Sequence, residues 1–255
     1  MELFMLPEVI SGILLPFWGT LIGSACVLFV NKELSAVKRA AINTFAAGVM
    51  VAAAVFSLLI PAVGQAKASG SALAFASVHF GFIAGMMLLL LTDILLTRYG
   101  KNTSSGSMSY LAITIHNLPE GMAVGVVFAA FVAAPSALSY ASALAVSIGI
   151  ALQNFPEGAI TSLTLRSDGT RRVQALILGA LSGIIEPAGA VFTLICIGFV
   201  LPILPFLLSF AAGTMIYVVL TELIPESFTK TPPYIGSVFF TLGFSFMMLL
   251  DTMLG

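Results

Sequence analysis

Three glutamates lie deep inside long apolar stretches, where a charged side chain is costly: Glu120, Glu157 and Glu186. Two of them belong to closely similar strings, His116-Asn117-Leu118-Pro119-Glu120-Gly121 and Gln153-Asn154-Phe155-Pro156-Glu157-Gly158. The first and fifth residues of each string are four apart, which on an α-helix stacks them on one face, about 6 Å apart along the axis. Two such helices facing one another offer His116, Glu120, Gln153 and Glu157 as a set of four ligands. Imidazole nitrogen with carboxylate and amide oxygens suits a borderline divalent d-block metal better than Ca²⁺ or Na⁺. Thiolates, which favour copper(I), are absent from both strings. Asn117 and Asn154 follow the first ligands by one residue and are turned about 100° around their helices. There they can meet Glu186 in a second, adjacent site bridged by Glu120 and Glu157.

A blander account protonates the carboxyls and bonds them to backbone. Every Lys and Arg falls in or beside a loop, so no basic side chain is at hand to neutralise them. Three such glutamates beside one histidine and three amides favour a mobile cation as the counter-charge. Protons compete with that cation for the same oxygens, so metal binding is expected to tighten as pH rises. Proline precedes glutamate in both strings and frees the carbonyls of Ile115 and Leu152, which predicts kinks. Such backbone is tolerated at membrane depth only when packed in protein or lining a watery cavity, and Gly121 and Gly158 permit close helix approach.

These residues need spanning helices to hold them. Among 255 residues only 8% are charged and 59% are apolar, against about 25% and 45–50% in soluble domains, and the mean hydropathy is +1.11. The expected class is an all-α polytopic membrane protein, multi-pass in the cell membrane (inner or plasma), with the lipid bilayer as its surroundings. About 20 apolar residues are needed per crossing. Eight runs qualify: Val9 to Val30, Ala40 to Ala62, Leu73 to Leu96, Tyr110 to Ala133, Leu138 to Leu165, Val173 to Phe199, Leu204 to Pro225 and Tyr234 to Leu254. Lys32, Lys38, Arg39, Arg98, Lys101, Arg166, Arg171, Arg172 and Lys230 fall on one side of this arrangement and Lys67 alone on the other. That asymmetry places both termini outside the cytoplasm. Connections are short, so residues 1–255 are expected to form a single transmembrane domain. The net charge of −1 suggests no nucleic-acid partner.

Lesser residues are assigned as follows. Glu222 is expected as a secondary pathway carboxylate, and Met50, which shares a face of its span with Ser57, reads as core packing. Asp93 is explained by a local ion pair with Arg98, with an exit-path ligand as the alternative, and His79 by an interfacial or packing position, with an entrance ligand as the alternative. Cys26 and Cys196 read as small buried hydrophobes. A rival reading is an intramembrane metal-dependent hydrolase, but no H-E-x-x-H is present and His116 is the only histidine in either string. A structural or receptor-type membrane protein is a third reading.

The two strings resemble the signatures of the ZIP (Zrt/Irt-like) divalent metal transporters. The likeness extends to Glu186 and to the segments Phe45 to Ala62 and Gly213 to Glu226. It implies eight helices with both termini outside, no required cofactor, inward transport of a divalent metal and a homodimer. Zinc is the first expectation, with cadmium, iron and manganese after it, and family analogy adds Ser57 to the transport pathway. By position, a binuclear centre would take His116, Glu120, Gln153 and Glu157 as its first site, and Asn117, Asn154 and Glu186 with the bridging glutamates as its second. The chain departs from the family pattern in having Gln153 where many members have histidine and Asn154 where some have aspartate. It also lacks a histidine cluster between Arg98 and Ser107. The Gln153 exchange is expected to relax selectivity away from Zn²⁺.

Overall fold

A backbone immersed in hydrocarbon must satisfy its own hydrogen bonds, and this chain does so with helices. A computed structural model describes residues 7–29, 35–99, 105–133, 139–167, 169–228 and 232–254; no strand occurs among them. The principal helices are α1 (Pro7–Leu28), α2 (Ala36–Ser69), α3 (Ala72–Tyr99), α4 (Ser105–Ala133), α5 (Tyr140–Ser167), α6 (Arg172–Ile195), α7 (Leu204–Leu223) and α8 (Pro233–Leu254). Seven are long and apolar enough to cross a bilayer. The other, α4, has 29 residues, of which Asn117–Ala133 form the described apolar part. The chain is an all-α, multi-pass membrane protein. Lys32, Lys101 and Lys230, used above to orient it, lie outside the described residues.

Local sequence explains the boundaries. The Ser35 hydroxyl accepts from the Lys38 amide at the start of α2. At its far end Gly70 adopts φ 63°, which lets the chain reverse directly into α3. Both Pro119 and Pro156 sit within continuous helices, α4 and α5. The interruption falls instead in α6, between Arg172–Ser182 and Ile185–Ile195, one turn before Pro187. Two stretches widen into π-helical turns, Ala53–Leu59 in α2 and Val219–Leu223 in α7.

Glycines sort the helices into two groups. In the first, Gly19 and Gly23 of α1 lie against the carbonyls of Ala151 and Phe155 of α5, and Gly158 of α5 lies against the Thr20 carbonyl. Gly121 of α4 abuts the Glu186 backbone of α6, and Gly183 of α6 abuts the Thr20 side chain. Thus α1, α4, α5 and α6 are zipped together. In the second group, Gly48 of α2 meets the Phe240 carbonyl of α8, and Gly243 of α8 meets the Phe45 carbonyl of α2. Gly213 of α7 likewise meets the Phe82 carbonyl of α3, and Gly85 of α3 meets the Phe210 carbonyl of α7. Between the groups the glycine contact among the described residues is Gly149 against the flexible thioether of Met247.

The second group contains an internal repeat that the sequence reading missed. Phe45, Gly48 and Ser57 of α2 share their spacing with Phe210, Gly213 and Glu222 of α7. Phe82, Gly85 and Asp93 of α3 share theirs with Phe240, Gly243 and Asp251 of α8. Each first-set helix packs on a helix of the other half, so α2 pairs with α8 and α7 with α3.

A methyl group at a backbone-to-backbone approach must push two helices apart, an overpacking cost of about 1–3 kcal/mol. Gly243→Ala is therefore expected to lower the unfolding free energy of the detergent-solubilised protein by that order. Gly64→Ala, where nothing lies within 4 Å of the added carbon, should leave the thermal midpoint unchanged or slightly raised. Equal midpoints for the two variants would contradict the packing account.

Candidate metal centre

The first group of helices brings the predicted polar residues together. Gln153 of α5 donates its amide to Glu120 Oε1 of α4 at 2.7 Å, which joins the two strings directly. The Asn117 amide donates to the Ser182 carbonyl at 3.0 Å, in the last turn before the break in α6. Asn154 donates to the Pro16 carbonyl of α1 at 3.3 Å and also faces the Glu186 carboxylate. Glu186 lies in the first turn of Ile185–Ile195, where the helix dipole favours negative charge, and its Oε1 accepts from the Thr20 hydroxyl at 3.1 Å. Gln153, Asn154 and Glu186 are fully buried, Asn117 and Glu120 nearly so, and Glu157 is half-buried. Asn117 and Glu120 come from the described part of α4, whereas the His116 side chain lies outside the described residues.

Every one of the buried members is held at one end and idle at the other. Asn117 Oδ1, Glu120 Oε2, Gln153 Oε1, Asn154 Oδ1 and Glu186 Oε2 have no hydrogen-bond partner. Buried polar atoms are almost always satisfied, so five idle oxygens on one residue cluster call for a ligand. The charged neighbours of Glu120, Glu157 and Glu186 among the described residues are other carboxylates, including Glu222. Among those residues no three His, Cys, Asp or Glu side chains stand close enough to enclose one ion, since amides make up much of the described set. Oxygen donors with adjacent carboxylates can accept a divalent cation and nothing anionic.

The two residues expected to line a pathway lie in the second group. Ser57 and Glu222 both fall in π-helical turns, which recur at functional sites. Ser57 donates to Asp251 Oδ1 at 2.6 Å. On the other half of the repeat, the Tyr217 hydroxyl donates to Asp93 Oδ2 at 2.7 Å. The expected Asp93–Arg98 ion pair is therefore corrected: five residues of helix turn the two side chains about 140° apart, and Asp93 faces α7. Glu226 has a side chain outside the described residues. Sequence reasoning missed Thr20, the Pro16 carbonyl and Asp251. The only available signal was a threonine and proline set among glycines in α1, and a lone aspartate near the end of α8.

A bundle of spanning helices that buries carboxylates and amides around idle oxygens defines a membrane protein that admits a cation to its interior. The model of the family described as ZIP Zinc transporter matches residues 102–251. The human Zinc transporter ZIP11 is 32% identical over 93% of this chain and 95% of its own length. Zinc transporter ZIPB of Bordetella bronchiseptica is 35% identical over 94% of this chain and 79% of its own. Zinc transporter GufA of Myxococcus xanthus is 32% identical over 78% and 81%. The chain belongs to the ZIP zinc transporter family. Its members are transporters, not enzymes, which sets aside the hydrolase reading.

Removing the hydroxyl that orients Glu186 should weaken a cation held there by about 10–100-fold, the usual effect of losing an outer partner of a ligand. Thr20→Val is expected to diminish the zinc-induced rise in thermal midpoint, while Thr20→Ser retains it. An undiminished rise in Thr20→Val would show that the hydrogen bond has no part in cation binding.

Proposed function

We propose that this chain, as a single transmembrane domain, carries divalent transition-metal ions across the membrane into the cytoplasm, with Zn²⁺ foremost and Cd²⁺, Fe²⁺ and Mn²⁺ as further cargo. The ion is ligated first by His116, Glu120, Gln153 and Glu157. Asn117, Asn154 and Glu186 supply a second site, bridged by Glu120 and Glu157. The observation that carries this reading is the group of five buried, unpartnered oxygens whose opposite ends are anchored to α1, α4, α5 and α6. Relatives named as zinc transporters support the choice of cargo. Inward direction and a homodimer rest on kinship, and the outside placement of both termini on the positive charges.

Movement follows from the packing. The ligands sit in the group α1, α4, α5 and α6, each helix locked to its neighbours by glycine contacts. The other group presents mainly apolar side chains, among them Met50, Met215 and Met247. Sliding of the ligand-bearing group against this surface exposes the ion to each side in turn, with Ser57 and Glu222 along its route. Where that contact is apolar it lowers the barrier to such a shift, and Glu222, a charged neighbour of Glu120 and Glu157 across the joint, is the polar point on the route.

The test is metal uptake into proteoliposomes loaded with a fluorescent indicator. Glu120→Ala and Glu157→Ala should abolish uptake while the protein remains folded, and Gln153→His should move the ranking of Zn²⁺, Cd²⁺ and Mn²⁺ toward Zn²⁺. Uptake undisturbed by both alanine variants would overturn the ligand assignment. Metal ligation requires deprotonated carboxylates and neutral imidazole, so binding releases protons and tightens from roughly pH 5.5 to 7.5. A titration calorimetry profile flat across that interval would contradict the proposed donors.

A further inference from the structure

A cleft of about 300 Å³ opens where the two helix groups meet; its α5 wall is interleaved along the chain with Gln153, Asn154 and Glu157, but its own lining is chemically distinct from theirs. Its walls come from α2 (Ala41, Ile42, Phe45), α8 (Phe239) and α5 (Leu152, Phe155, Pro156). Every lining side chain is apolar. A water molecule needs two to four polar partners, and this cleft offers it no polar side chain. Phe155 and Phe239 are 43% and 38% exposed on its rim, so the space communicates with the protein's outer surface. For a membrane-spanning chain that surface is hydrocarbon. An apolar cavity of about 150 Å³ accepts one benzene, and twice that volume accepts a run of methylenes.

A second feature lies on the same face. Lys38 is exposed three and four residues before Ala41 and Ile42, which places it directly above them on α2. Helical side chains lean toward the N-terminus, and Lys38 is in the first turn, so its ammonium reaches toward the membrane surface. The cleft and the ammonium are thus arranged as the two ends of an amphiphile. We infer that this cleft binds one acyl chain of an anionic phospholipid, whose headgroup is met by Lys38. The lipid fills the joint between the ligand-bearing group and the group it packs on, and it follows from the bilayer setting rather than from the identity of the transported ion.

The full-length protein is reconstituted in nanodiscs with either phosphatidylglycerol or phosphatidylcholine bearing a photoreactive diazirine on the acyl chain, and adducts are mapped by mass spectrometry. Adducts should concentrate on the peptides containing residues 41–45, 152–156 and 239. Phosphatidylglycerol should label them about fivefold more than phosphatidylcholine, the effect of one basic residue at the surface. Ala41→Phe, which fills the cleft, should remove these adducts but leave labelling elsewhere on the protein intact. Lys38→Gln, an exposed change that leaves the core untouched, should erase the preference for phosphatidylglycerol even if Ala41→Phe fails to fold. Adducts spread evenly around the helices, equal labelling by the two lipids, or coverage of the face by a second copy seen as an intersubunit cross-link would each overturn the inference.

Discussion

The structure depends on one constraint: an oxygen buried without a partner is costly, and this chain keeps five of them together. An unpartnered polar atom costs about 1–3 kcal/mol when it cannot reach water, more if charged. The arrangement persists because each side chain is secured at its other end. The amides of Asn117 and Asn154 are fixed to backbone carbonyls, Gln153 to Glu120, and Glu186 to the Thr20 hydroxyl. With the donor ends occupied, only acceptors remain to face an incoming ion. Such orientation is established by folding, before any cation arrives.

Holding those ends requires helices closer together than side chains normally permit. The Pro16 carbonyl can reach Asn154 only because α1 and α5 touch at Gly19, Gly23 and Gly158. The Thr20 hydroxyl reaches Glu186 because Gly183 admits the threonine side chain against α6. The glycines thus serve the site as much as the fold. Among the described residues they also confine glycine-to-backbone contact to within each helix group, the glycine approach between groups being Gly149 against the side chains of Met247 and Ala53. Closely held polar side chains within the first group are a consequence of where Cβ atoms are missing.

Much of this was legible in the sequence, and the reasons are physical. Lipid forces long apolar helices, so the spans stand out from composition, and a carboxylate in such a span is conspicuous by its cost. The four-residue spacing from Gln153 to Glu157, and from His116 to Glu120 in the matching string, put the proposed ligands on helix faces without any knowledge of packing. What escaped was the far end of each hydrogen bond. A backbone carbonyl such as that of Pro16 has no sequence signature, and Thr20 is an ordinary residue until α6 is laid beside it. Asp93 misled because Arg98 is near in sequence, while its actual donor, Tyr217, is 124 residues away. The repeat relating α2 and α3 to α7 and α8 escaped because it survives in a few glycines, phenylalanines and aspartates rather than in continuous identity. The break in α6 was hidden by Pro119 and Pro156, which drew attention to helices that run on without interruption.

Gln153 shows how a departure from a family pattern can keep the logic of a site while changing its chemistry. A histidine at this position has two ring nitrogens, so one can meet a metal while the other donates to a carboxylate. Glutamine reproduces that two-ended character: its nitrogen is engaged by Glu120 Oε1 and its oxygen is idle. In the structure the amide nitrogen faces Glu120 and the oxygen is the end left without a partner. In the proposed centre the donor is therefore oxygen in place of imidazole nitrogen, a harder atom that favours ions less dependent on nitrogen ligands. In the proposed centre the Gln153–Glu120 contact fixes the amide, so having glutamine in place of histidine is expected to act on which metal is preferred and not on whether a metal can be held.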